Sequence, residues 1–257
     1  VNTALLPEVG RLAAPPHWHS LEFISDVHLQ AAEPATFDAW RRYMADSPAD
    51  AIFILGDLFE AWPGDDTALQ PGFDAECASV LATATKRRPV FFMHGNRDFL
   101  VGPRLMALTG MTLLQDPTAL EFGGERWLLS HGDALCLDDR DYLKFRAQVR
   151  QPEWQRAFLA QPLPSRQQTA RALRDESEAR KRSGVTYADV DSAAAAGWLS
   201  AAGAATLIHG HTHRPGEHAL TECRRRIGLS DWDAYGSPPR LEVLRLDGAG
   251  THRYALA

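Results

Sequence analysis

Ala51-Ile52-Phe53-Ile54-Leu55-Gly56-Asp57-Leu58-Phe59-Glu60 is an unbroken apolar run that ends in a glycine and a carboxylate. Apolar without alternation, it reads as a strand buried on both faces, as in a sheet covered by helices. Open α/β sheets place their chemistry just past such strand ends. Asp57 is therefore a candidate site residue. Asp65 and Asp66 follow in a Pro-Gly loop and read as solvated turn residues.

The same grammar recurs on either side. Leu21-Glu22-Phe23-Ile24-Ser25 reads as a strand running into Asp26-Val27-His28, and residues 89–93 as another running into His94-Gly95-Asn96-Arg97-Asp98. Helical spacing over residues 34–47 and 73–86 supplies the crossovers, with Phe37, Trp40, Tyr43 and Met44 on one side of the first. Farther on, residues 120–124 and 126–130 suggest a hairpin turning at Gly123-Gly124, and its second strand ends in His131-Gly132-Asp133. The fifth such place is Leu207-Ile208-His209-Gly210-His211-Thr212-His213-Arg214-Pro215. In extended chain, residues i and i+2 point the same way. Alternation predicts that Asp26 with His28, and His209 with His211, aim into one pocket. Gly210 leaves room for close approach. His94 reads as a packed or hydrogen-bonded histidine.

One polar strand end is an ordinary turn. Five in one chain, each carrying Asp, Asn or His, point to a metal centre. The candidate ligands are Asp26, His28, Asp57, Asn96, His131, His209 and His211. Carboxylate and amide oxygens mixed with imidazoles suit Mn, Fe or Zn. Seven donors exceed one tetrahedral site and suit two ions. Asp57, past the most central strand, is the natural bridge. Asp26, His28 and His211 would serve one ion, and Asn96, His131 and His209 the other. Two cations about 3.5–4 Å apart activate water and clamp both oxygens of an in-line displacement at phosphorus. Arg97 offers a planar donor fork for phosphate oxygens.

The remaining chain sets the surroundings. The charge of −6 argues against nucleic acid as a partner. Cys77, Cys136 and Cys223 form no CxxC and read as reduced thiols of a cytoplasmic protein. Residues 1–20 read as a loose leader, and no run reaches the roughly 20 apolar residues of a membrane span. Residues 137–200 read as a helical insertion. Between Asp138 and Arg182 stand 11 Lys/Arg against 7 Asp/Glu, so this insert is basic in an acidic chain. Tyr142, Phe145, Trp154, Phe158 and Leu159 make it aromatic and greasy as well, which suits either a cover for an anionic, apolar substrate or a helical hairpin with a solvated charged face. Arg224-Arg225-Arg226 reads as a strand-end charge cluster. The final strands are expected at residues 241–246 and 252–256.

The five blocks, in this order, resemble the signature of the calcineurin-like metallophosphoesterases. Gly56-Asp57-Leu58-Phe59-Glu60-Ala61-Trp62, Gly95-Asn96-Arg97-Asp98-Phe99-Leu100, His209-Gly210-His211-Thr212-His213-Arg214-Pro215 and Gly228-Leu229-Ser230-Asp231-Trp232 resemble, within them, the UDP-2,3-diacylglucosamine pyrophosphohydrolases of lipid A synthesis. The resemblance implies an α/β, four-layer α/β/β/α sandwich with a helical lid over residues 137–200. It also implies two Mn2+ per chain, with other divalent metals as alternatives. The implied reaction cleaves a UDP-linked diacylated glucosamine lipid to UMP and 2,3-diacylglucosamine 1-phosphate, beside the inner membrane as a peripheral protein. The catalytic group would be Asp57, Asn96, Arg97 and His131. Substrate would meet Asn96, Arg97, Asp139, Ser177, Lys181 and His209. The lid departs from the family pattern, since the usual Asn and Lys fall on Arg180 or Lys181 and on Ser183 or Gly184. Where many superfamily members carry a His as general acid, this chain has Arg97, which cannot donate a proton near neutrality. A phosphate leaving group needs no such acid, which favours a diphosphate substrate. The alternatives are another nucleotide phosphoesterase of the same fold, or a non-catalytic interaction module, which would be expected to have lost ligands. No obligate protein partner is expected.

Overall fold

The structure, a computed structural model, describes residues 7–182 and 188–256, with the side chains of 175–182 left out. Two six-stranded sheets face each other. The first runs β1 (Gly10–Ala13), β6 (Thr118–Phe122), β7 (Glu125–Ser130), β8 (Thr206–His209), β10 (Arg224–Gly228) and β9 (Gly216–Thr221). The second runs β12 (Gly250–Ala255), β11 (Glu242–Asp247), β2 (Ser20–Ile24), β3 (Ala51–Leu55), β4 (Val90–Met93) and β5 (Thr112–Leu114). Strands β2 to β5 are parallel neighbours. Their crossovers are α1 (Pro34–Asp46), α2 (Phe73–Thr85) and α3 (Pro103–Thr109).

Alternation divides the apolar side chains between layers. Phe23, Phe53 and Phe91 stand in register on neighbouring strands and stack, with ring centroids 4.9 and 4.8 Å apart. They face Leu120, Leu129, Ile208 and Ile227 of the other sheet. The intervening residues Ile24, Ile52, Ile54 and Phe92 face outward onto Trp40, Met44, Cys77, Leu81 and Leu105 of the helices. On the far side Leu128 and Leu207 meet Ala195, Trp198 and Leu199 of α7 (Ser192–Ala202). The result is the four-layer α/β/β/α sandwich that the family resemblance implies, with the buried apolar runs forming its strands.

Several local expectations change. Residues 10–13, inside the stretch read as a leader, form edge strand β1 in parallel register with β6. Trp18 packs edge-on against Phe91. The helical stretch beyond residue 137 divides. Helices α4 (Arg140–Val149), α5 (Pro152–Leu159) and α6 (Leu163–Arg182) form the cap, while α7 belongs to the outer layer of the sandwich. The three arginines are not a strand-end cluster. They lie within β10, where Arg226 is buried and donates to Asp189 at 2.9 Å. Asp65 and Asp66 are not solvated turn residues either. Asp65 accepts the N–H groups of Gly102, Arg104 and Leu105 at 2.9–3.0 Å, closing the start of α3 from outside the helix. Asp66 pairs with both guanidinium nitrogens of buried Arg166 on α6.

Candidate metal centre and cleft

The loops after β2, β3, β4, β7 and β8 meet at one end of the sandwich. Two glycines let them approach. A Cβ on Gly95 would stand 2.1 Å from Asp57 Oδ1, and one on Gly210 would stand 1.9 Å from Ser25 Oγ and 2.5 Å from Asp26 Oδ2. Buried Asp98 ties two of the loops, accepting the N–H of Leu58 at 2.7 Å and of Gly95 at 2.8 Å. Burial and the neighbouring Asp57 carboxylate push its pKa up.

Left-handed backbone marks the site. Among the described residues, the non-glycine positions with positive φ are Asp26, His28, Asp57, His211 and His213, at 51–66°. Such conformations cost roughly 1–3 kcal/mol each and persist where the surroundings enforce them. They also replace the mechanism expected from alternation. Asp26 and His28 converge because the chain coils left-handed after β2, not because it stays extended.

Six of the seven expected ligands are brought together. His28 Nε2 lies 3.9 Å from Asp26 Oδ1 and 4.0 Å from Asp57 Oδ2. Asn96 Oδ1 lies 3.0 Å from His131 Nε2 and 2.8 Å from His211 Nδ1. His131 Nε2 is 3.8 Å from Asp57 Oδ1, and its Nδ1 faces the Leu55 carbonyl at 2.8 Å. His209 is turned aside. Its Nε2 meets the Arg226 guanidinium at 3.1 Å and its Nδ1 the Gly210 carbonyl at 2.9 Å. His213 stands in the cluster instead, 3.3 Å from Asp26 Oδ1 and 3.4 Å from His28 Nε2. The signal for His213 was present in the sequence, two residues beyond His211. His94 Nε2 donates to the Val101 carbonyl at 2.6 Å, as a packed histidine should, and burial lowers its pKa to about 4.

The electrostatics call for a cation. Burial opposes charge on Asp26, but His213, His131 and His28 hold its carboxyl well below the usual range. Burial would lower the pKa of His131, yet Asp57, Asp133 and Asp26 outweigh it and raise it to about 9. Burial, with the His131 charge, lowers His211 to about 4, leaving a neutral ring with a free lone pair. Asp26 Oδ1 is buried, with the Nε2 atoms of His213 and His28 3.3 and 3.9 Å away but no well-aligned hydrogen bond. Ligand atoms of Asp26, His28 and His213, and of Asp26, Asp57 and His131, lie within 4.8 Å of one another. A buried carboxylate oxygen facing imidazole nitrogens, with the Asn96 amide oxygen beside His131 and His211, fits a divalent metal.

Beside this cluster opens a cleft of about 270 Å³ under the cap. Trp62, Phe99, Phe145, Trp154, Phe158 and Leu173 give it apolar walls, and Asn96, Arg97 and Asp139 lie at its polar end. Asp139 also caps α4, accepting the Tyr142 N–H at 3.1 Å. Tyr142 stacks on His211 with ring centroids 5.9 Å apart. Its hydroxyl and Arg146 both donate to buried Asp133, so the cap is fastened to the loop after β7. Ser177 and Lys181, expected to touch substrate, lie outside the described residues as far as their side chains go, as do Ser183 and Gly184.

Known proteins resemble this chain over most of its length. Residues 22–215 match the family described as calcineurin-like phosphoesterase. A protein of Chromobacterium violaceum named UDP-2,3-diacylglucosamine hydrolase is 46% identical over 83% of this chain and 90% of its own. Proteins of the same name from Stenotrophomonas maltophilia and Xanthomonas oryzae pv. oryzae are 42% and 43% identical, over 89% and 91% of this chain and 95% and 98% of their own.

Proposed function

The chain belongs to the calcineurin-like phosphoesterase family, and from that premise we propose that it hydrolyses the pyrophosphate of UDP-2,3-diacylglucosamine. The products would be UMP and 2,3-diacylglucosamine 1-phosphate, and the cofactors two divalent cations, manganese foremost. The observation that supports this most is the continuity of an acidic, histidine-rich cluster with an aromatic cleft.

Asp26, His28, Asp57, Asn96, His131 and His211 would hold the metal, with His209 joining once its ring leaves Arg226. Bound there, divalent cations supply Lewis-acid neutralisation of phosphoryl oxygens and lower the pKa of water. The chain's own residues do the rest. Arg97, whose backbone N–H is fixed by Asp57 Oδ1 at 2.8 Å, turns its guanidinium to the cleft and meets charge on the diphosphate. Asn96 and Asp139 orient the sugar end, and the aromatic walls bury acyl chain and exclude water. Attack at the α-phosphorus places the new oxygen on UMP and leaves the bridging oxygen on the lipid phosphate.

Among the described residues, no helix is long and apolar enough to cross a membrane. The basic cap, with Leu159 exposed, suits peripheral contact with the cytoplasmic face of the inner membrane.

The test is substrate choice. Purified protein with Mn2+ should release UMP from UDP-2,3-diacylglucosamine and leave a dinucleoside polyphosphate intact. Faster cleavage of the polyphosphate would assign the cleft to another nucleotide.

A further inference from the structure

Glu60 closes the strand-end block after β3, and the reaction above does not use it. Its two carboxylate oxygens face different parts of the molecule. Oε2 stands 2.9 Å from His28 Nδ1. The imidazole N–H is not well aligned with it, so the contact is as much electrostatic as hydrogen-bonded. Oε1 stands 3.0 Å from Arg174 Nε on α6 and 3.7 Å from Arg97 NH1. The side chain is only 12% exposed, so water screens these charges little.

A carboxylate beside Nδ1 favours the tautomer that carries its proton there. The lone pair is then left on Nε2, the nitrogen that faces Asp26 and Asp57. Outer carboxylates of this kind orient histidine ligands and raise their basicity. The other oxygen reaches the cap through Arg174 and the phosphate-facing side of the cleft through Arg97. We infer that Glu60 is a positioning residue that couples the cap to the metal centre, one oxygen orienting His28 and the other holding Arg174 and Arg97 over the cleft. The inference rests on the reading of His28 as a ligand.

Glu60→Gln keeps the size of the side chain but removes the negative charge that faces His28 Nδ1 on one side and Arg174 and Arg97 on the other, so both sides weaken. Mn2+ alone, titrated into metal-free protein and followed by the electron paramagnetic resonance of the free ion, reads the ligand set without turnover. Glu60→Gln should bind one equivalent of Mn2+ roughly 10–100-fold more weakly, and KM for the acylated substrate should rise. Arg174→Gln cuts only the cap side, so KM should rise while the Mn2+ titration stays at the wild-type position. If Glu60→Gln does not fold, Glu60→Asp takes its place: the carboxylate is kept but withdrawn by one carbon, and Mn2+ binding should still weaken. A Mn2+ titration of the Glu60 variants that superimposes on wild type overturns this inference alone. A wild-type chain that binds no Mn2+ overturns it together with the metal-centre reading.

Discussion

The strand-end loops and the cap are held by different means. The loops sit on a frame whose strands β3 and β4 are buried on both faces, with Phe23, Phe53 and Phe91 stacked beneath them. That frame can impose left-handed backbone on Asp26, His28, Asp57, His211 and His213. Helices α4 to α6 meet the sandwich through a few polar anchors. Asp133 takes Tyr142 and Arg146, Asp66 takes Arg166, and Arg150 donates to the Gly95 carbonyl at 2.8 Å. Phe158 of α5 is buried in the core, and Trp154, stacked on it within α5, reaches Phe99 with ring centroids 6.2 Å apart. On the proposed reading, chemistry sits on the closely packed strand-end loops, and access and selection on the cap held by fewer anchors.

Substitutions on the two sides should differ in kind. Asp57→Ala removes the carboxylate nearest both halves of the cluster. Hydrolysis should fall by more than the roughly 10²–10³-fold typical of losing one transition-state group, and Mn2+ binding should fail with it. Retained Mn2+-dependent turnover would break the idea of a shared centre. Arg97→Ala should cost about 10²-fold in kcat with Mn2+ binding unchanged. Unchanged kinetics would show that this guanidinium does not meet the phosphate. Asp66→Ala acts on the cap alone. It leaves the buried Arg166 guanidinium without its carboxylate, at a cost of about 1–3 kcal/mol. KM should rise several-fold while kcat holds, and limited proteolysis should cut α6 sooner. A kcat loss matching that of Arg97→Ala would erase the distinction between the two regions.

Legibility in the sequence follows the same division. The runs Leu21-Glu22-Phe23-Ile24 and Ala51-Ile52-Phe53-Ile54-Leu55 announce buried strands because a two-sided layer demands them. The polar residues that follow announce a site because nothing in packing requires them. Strand β10 is hidden, because Arg224-Arg225-Arg226 has no apolar signature. Its buried member is compensated by His209 and Asp189, which local patterning cannot connect to it. Asp65 and Asp66 mislead for the same reason, since their partners on α3 and α6 lie far along the chain. His213 follows His209 and His211 in the same block at the same two-residue spacing. Its place depends on left-handed turns that i, i+2 alternation does not foresee. Glu60 likewise ends the polar block after β3, and only the fold shows which groups its two oxygens reach.

The central claim is that these loops hold divalent cations against a lipid-linked nucleoside diphosphate. Its most direct test is release of UMP from UDP-2,3-diacylglucosamine by protein stripped with a chelator and then given back Mn2+. The account predicts no UMP from the stripped protein and recovery on addition of Mn2+. UMP release that persists through chelation, or that Mn2+ does not restore in protein shown to be folded, would contradict it.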